Sequence, residues 1–498
     1  MSAQPPTPAA PAEPLSLGEA LIPIASLILL VALSFYLFGD AGAKGPNQVA
    51  LVVATVIALS VARRRGQSMD TLRDAAIASV GSGMGAIFIL FAVGALIGTW
   101  ALSGTLAAMV YYGLQILNPH YFYATTVLIC AIVSFAIGSS WTVVGTIGIG
   151  LMGIAASMNL DSAITAGAVI SGSYFGDKSS PLSDTANLSA ATAGADLYAH
   201  IKETAISSAV AVAIALAVFW TMGTDVDYQG NAKLAQIDAI FHVTPWHFAP
   251  LAVVVALALF KVPPFTTIFA GALVGGVIAV ILAPERVAAF AAARDGVPGW
   301  IVQIKGVWLA LASGYHHASG IAAIDTLVTR GGMERMLDTV WLIIVALAFG
   351  GVIEKMGALE RLMAPVIAAA KSAVALVASL VGAAIATNIA TADQYMAVVL
   401  PGRMFKGAFE KRGYAPTVLS RTIGDTATPT GALIPWNSCG AYMAVTLGVA
   451  TVSYAPWAIF NMVSPLVAIA FAAIGFRMPR TAVSPQAPEA PDGPATGR

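Results

Sequence analysis

From Ala75 to Leu160 the chain contains no Asp, Glu, Lys or Arg. Soluble domains carry charge on about a quarter of their residues, because that charge keeps their surfaces in water. A run this long without any charge has no means of covering a water-facing surface, and it suits a lipid solvent instead. The whole chain agrees: 58% of its 498 residues are hydrophobic and 10% are charged. The expectation is an all-α, polytopic membrane protein.

A spanning helix needs about 20 mostly apolar residues. Clear candidates lie near 18–38, 46–62, 77–98, 121–138, 204–222, 247–262, 264–283, 337–354, 373–390, 431–452 and 456–476. The stretches 99–117, 140–158, 162–195 and 391–427 are apolar but rich in Gly, Ser and Thr, and broken or re-entrant helices are expected there. Together these give about 11–13 transmembrane or re-entrant helices. Residues 1–17 and 477–498, rich in Pro and Ala, are expected to be disordered tails. Between the tails, 18–222 forms a first membrane half, 223–246 a connecting loop and 247–476 a second half. Arg63-Arg64-Arg65 after the second span, and Arg477 and Arg480 after the last, place both termini in the cytoplasm by the positive-inside rule.

Net charge is zero, so no field draws nucleic acid. Cys130 and Cys439 sit in apolar surroundings and are expected to be buried and unpaired. No constellation of nucleophile and base, or of clustered metal-ligating histidines, suggests an enzyme or a cofactor. A channel would have no need of interrupted helices.

Beyond Leu160 charge returns, first as Asp161 and then as three charges close together in GDKSSPLSDTANLS (176–189). Pro181 lacks an N–H and clashes with the preceding turn, so it interrupts the helix around 178–181. Inside a membrane an unwound backbone must line a cavity or be buried in protein. The break frees carbonyls beside Asp177, Ser180, Ser183, Asp184 and Thr185, and such oxygens are the ligands hard cations prefer. Asp177 and Asp184 are therefore Na⁺ candidates. A desolvated carboxylate holds protons more tightly than one in water, so protons and a metal cation would compete for these oxygens. With alternating access, that competition gives antiport. Lys178 complicates the picture, since it could neutralise Asp177 or point elsewhere.

The motif has an echo: Gly176-Asp177-x-x-x-Pro181 recurs as Gly424-Asp425-x-x-x-Pro429, an offset of 248 residues. The same offset maps Ser139-Ser140 onto Thr387-Asn388. A looser echo joins GTWALSGTL (98–106) to VIEKMGALE (352–360). Transporters are often built from two such halves, with sites near the bilayer midplane. In the second half Asp393 is the first charge after Ser372–Ala392, among Thr387, Asn388, Thr391 and Gln394. Asp393 and Asp425 join the candidate cation and proton ligands on this ground, although either could merely cap a helix.

GSYFGDKSSPLSDTANLSAATAGADLYAHI resembles the signature region of the NhaC family of sodium/proton antiporters. ATADQYMAVVLPGRMF and LIPWNSCGAYMAVTLGV are similar to that family's later blocks, and IGTWALSGTL to an earlier one. The resemblance covers roughly 60–460. It implies a secondary transporter of the inner membrane exchanging Na⁺, or Li⁺, for H⁺, with a homodimer among the expected assemblies. It places Asp177, Ser180, Asp184, Thr185 and Asn187 in the most characteristic block. The same resemblance extends to malate/lactate exchangers coupled to Na⁺ and H⁺. An organic anion would want a cationic partner, for which Lys178, Arg403 and Arg421 are the candidates. Arg421, four residues before Asp425, could instead pair with it.

Overall fold

The computed structural model describes residues 14–39, 42, 45–223, 230–294, 296–316, 325, 329 and 331–481. Most of the two expected tails, and part of the connecting loop, lie outside the described residues. Among those described there is no β-strand, only an isolated bridge between Tyr414 and Arg480. Among the described residues, nine helices are long and apolar enough to cross a membrane, or eleven if each of two bent pairs is one span. The protein is an all-α, multi-span membrane protein.

Several expected spans are subdivided. The stretch expected as one span over 77–98 is two helices, Met69–Ser82 and Met84–Ser103, meeting at Gly83. A Cβ on Gly83 would lie 2.1 Å from the Leu347 side chain, so the turn brings the backbone against the second half. A further helix, Gly299–Ser313, lies outside the expected spans. Pro284–Ala291 forms a short helix just before it.

The elements around the charged motif have a specific arrangement. Phe122–Ile137 and Ser162–Ser179 run side by side in the same direction: Gly172 abuts Val127 and Cys130, and Gly176 abuts Ser134 and Phe135. The intervening Ser140–Ser157 must therefore run back, which makes Phe122–Ser157 a hairpin with its tip at Gly138-Ser139. After Ser179 the backbone unwinds over four residues and resumes as Asp184–Ala193. The tip and the break touch: a Cβ on Gly138, which has φ +78°, would lie 2.6 Å from the Leu182 carbonyl carbon. Only glycine supplies that φ and that approach without strain.

The second half has the same order of parts. Ala373–Thr391 and Gln394–Glu410 form a hairpin whose tip is Ala392-Asp393. Pro416–Thr430 is followed by a 3₁₀ turn, Gly431–Leu433, an irregular stretch, and Ser438–Leu447. Ser438 N–H donates to the Ala392 carbonyl, so again a hairpin tip packs on a helix break. Each tip turns on a left-handed residue, Gly138 or Ala392, and the next residue, Ser139 or Asp393, caps the returning helix. The looser echo coincides with a shared kink as well: Gly104 and Gly357 are both left-handed and each divides two helices.

The proline of the motif behaves differently in the two copies. Pro181 lies beyond the helix end, whereas Pro429 lies inside Pro416–Thr430 and the helix runs one residue past it. The break in the second half falls at 431–437, later than the position of its proline would suggest.

Candidate functional site: a carboxylate cavity between two hairpin tips

Asp177 lies in the last turn of Ser162–Ser179 and is buried at 5% exposure. Its carboxylate is held by hydroxyls from the far side of the break and from the hairpin tip. Ser140 Oγ donates to Oδ2, Ser183 Oγ lies 3.0 Å from Oδ1, and Thr185 Oγ1 lies 3.1 Å from Oδ1. Ser183 and Thr185 also reach the Asp177 carbonyl oxygen, Thr185 at 2.8 Å. The result is a concentration of oxygens at the C-terminal end of one half-helix, where the helix dipole favours a cation.

Asp393 comes from the other half. It caps Gln394–Glu410 by accepting from Tyr395 N–H at 2.8 Å, and it is buried at 7% exposure. Asp177 and Asp393 line one cavity of about 390 Å³, together with Asp184, Thr185, Gln394 and Trp141. Asp184 is exposed within it. Two buried polar atoms on lining residues, Gln394 Oε1 and Trp141 Nε1, have no hydrogen-bond partner. Trp141 is held in place by stacking on Tyr442, with ring centroids 4.0 Å apart, and by the Tyr442 hydroxyl donating to its carbonyl at 2.7 Å.

No Lys, Arg or His is among the described residues that line this cavity. Lys178 points away from it and lies 2.7 Å from Asp425 Oδ1, with both side chains fully buried. Arg421 does not pair with Asp425: its Nη1 donates to the Arg477 carbonyl at 2.6 Å and lies 3.6 Å from Glu203. Arg403 is exposed and lines none of the cavities described.

The structure thus brings together Asp177, Asp184, Thr185 and Asp393. Ser180 is buried in the break, where its Oγ accepts from Leu182 N–H at 3.2 Å, and it does not reach the cavity. Asn187 lines a neighbouring cavity of about 430 Å³ with Asp184 and Lys261, and its amide donates to the Ser183 carbonyl at 2.7 Å. Asp425 is outside both cavities. Ser140, which donates to Asp177, is a side chain at this site that the Gly-Asp motif does not single out. Its signal lies in the repeat, where it pairs with Asn388, whose amide likewise reaches the following broken helix at Ala427 and Thr430.

The model of the Na⁺/H⁺ antiporter family matches residues 15–223 and 172–476. The chain belongs to the Na⁺/H⁺ antiporter family. The Na⁺/H⁺ antiporter NhaC of Alkalihalophilus pseudofirmus is 33% identical over 464 residues, covering 92% of this chain and 96% of that one. An uncharacterized Na⁺/H⁺ antiporter of Haemophilus influenzae is 32% identical over the same shares. A malate-2H⁺/Na⁺-lactate antiporter of Bacillus subtilis is also 32% identical, over 91% of this chain and 94% of that one. Membership of this antiporter family makes the chain a transporter.

Proposed function

We propose that the protein exchanges Na⁺, or Li⁺, for H⁺ across a bacterial plasma membrane, and that the two ions alternate at Asp177 and Asp393. The observation that carries this reading is the lining of the cavity: two buried carboxylates, one from each half, and no basic side chain among the described lining residues. A buried carboxylate without a counter-charge is costly, and it is neutralised by a bound cation or by a proton. At a given carboxylate either one satisfies the charge, and both together on the same carboxylate are redundant. Mutually exclusive occupancy is the requirement for exchange through a single alternating site, and the family and its NhaC members support Na⁺ as the cation.

The Bacillus subtilis relative is named for exchange of organic anions. A carboxylate substrate at this cavity would meet Asp177 and Asp393 with no basic residue to hold it. Lys178 is engaged by Asp425, Arg421 by Glu203 and the Arg477 carbonyl, and Arg403 lies elsewhere. The lining therefore favours the cation.

Cytoplasmic termini complete the proposal, on the strength of Arg63-Arg64-Arg65 and the last-span arginines. The test is Na⁺-driven dissipation of an acid-inside pH gradient in everted vesicles. Asp177→Asn keeps the size of the side chain and removes its charge, so exchange should be lost while the protein still inserts. Normal exchange by that variant would remove Asp177 from the site.

A further inference from the structure

The two copies of the Gly-Asp motif place one carboxylate each, Asp177 and Asp425, at positions 248 residues apart. Their surroundings differ in one respect. Asp177 faces a cavity with hydroxyls around it and no basic side chain among the described lining residues. Asp425 is sealed in protein at 0% exposure, and it holds the Lys178 ammonium at 2.7 Å. Ser207 Oγ donates to the same Oδ1 at 2.7 Å, and Asp425 Oδ2 is buried without a partner. The ammonium is itself oxygen-bound, donating to Ser464 Oγ at 2.7 Å, and it lies 5.1 Å from the centre of the Phe460 ring.

We infer that Asp425 is a second cation site of the same ancestry as Asp177, permanently filled by the tethered ammonium of Lys178. The groups gathered around Nζ are those a free monovalent cation would use: a carboxylate, a serine hydroxyl and an aromatic face. Lys178 carries the single positive charge that such an ion would bring, on a stem that cannot leave. The asymmetry accounts for the open site too. Position 178 maps by the offset onto Thr426, an uncharged residue whose hydroxyl is buried without a partner. The first half thus sends an ammonium to the second half's carboxylate, and the second half sends none back. Asp177 is left for a mobile ion, and Asp425 is withdrawn from transport. The inference rests on the reading of Asp177 as a cation site.

The experiment measures saturable ²²Na⁺ binding to purified, detergent-solubilised full-length protein at alkaline pH. Lys178→Ala vacates the space beside Asp425, and bound Na⁺ at saturation should double. The increment should disappear in Lys178→Ala/Asp425→Asn, and it should persist in Asp177→Asn/Lys178→Ala, where it is the sole remaining binding. Unchanged binding in Lys178→Ala would overturn the proposal and reduce the ion pair to a packing device. The proposal also falls if Lys178→Ala fails to fold in Na⁺ while Lys178→Ala/Asp425→Asn folds, since no mobile cation then replaces the ammonium. Failure of the Asp177 reading shows elsewhere, as full Na⁺ binding by Asp177→Asn with Lys178 intact.

Discussion

At the scale of the residue, the chemistry depends on which hydroxyls surround Asp177. Ser140 Oγ, Ser183 Oγ and Thr185 Oγ1 all donate to its carboxylate, so each is a neutral partner that a cation or proton must displace or join. Hydrogen bonds to a charged group contribute about 1.5–3 kcal/mol. Ser140→Ala is therefore expected to shift the apparent Na⁺ affinity by about tenfold or more, in transport assays that vary Na⁺ at fixed pH. An unchanged Na⁺ dependence would mean that Ser140 is only a helix-end residue. Asp177 is legible in sequence because it is an acidic residue beside a proline, close after a long apolar stretch. The partnership with Ser140 is not, because 37 residues separate them and only packing of the hairpin against the broken helix brings them together. Arg421 shows the converse. Spacing along one helix suggests Asp425, but its guanidinium is taken by Glu203 and by the backbone at Arg477, contacts that no local pattern encodes.

Among the elements, the first break is held in place by close glycine contacts. Gly176 sits against the backbone of the parallel helix, where a Cβ would come within 2.0 Å of the Ser134 carbonyl carbon. Gly176→Leu should force the two helices apart and displace the neighbouring Asp177 carboxylate. Overpacking of this kind costs roughly 1–3 kcal/mol or more, and the expected outcome is a lower thermal midpoint together with lost exchange. A variant with wild-type melting and transport would contradict the tight parallel packing. The helix order and the position of the first break are readable because Pro181 and the polar residues around it are strong punctuation. The second break is less readable: Pro429 continues its helix, and the chain unwinds only at Gly431 and beyond. Gly83 is hidden for a different reason, since glycine within an apolar run is common in membrane helices and marks a turn only when a neighbour such as Leu347 approaches it.

For the whole molecule, each half delivers one buried carboxylate, Asp177 or Asp393, to a shared cavity. If Na⁺ and H⁺ compete there, lowering the pH fills the carboxylates with protons and weakens Na⁺ binding. The apparent KM for Na⁺ should rise as pH falls, with little change in the maximal rate at saturating Na⁺. A KM independent of pH would argue for separate paths. What defines this mechanism is a carboxylate that holds either ion and never both. Proton release reads that exclusion without transport, when Na⁺ is added to purified protein in weakly buffered solution near the pH at which the site is protonated. Protons should appear in step with Na⁺ binding, saturate with it, and be absent in Asp177→Asn. Saturable Na⁺ binding with no proton released at any pH would contradict the mechanism.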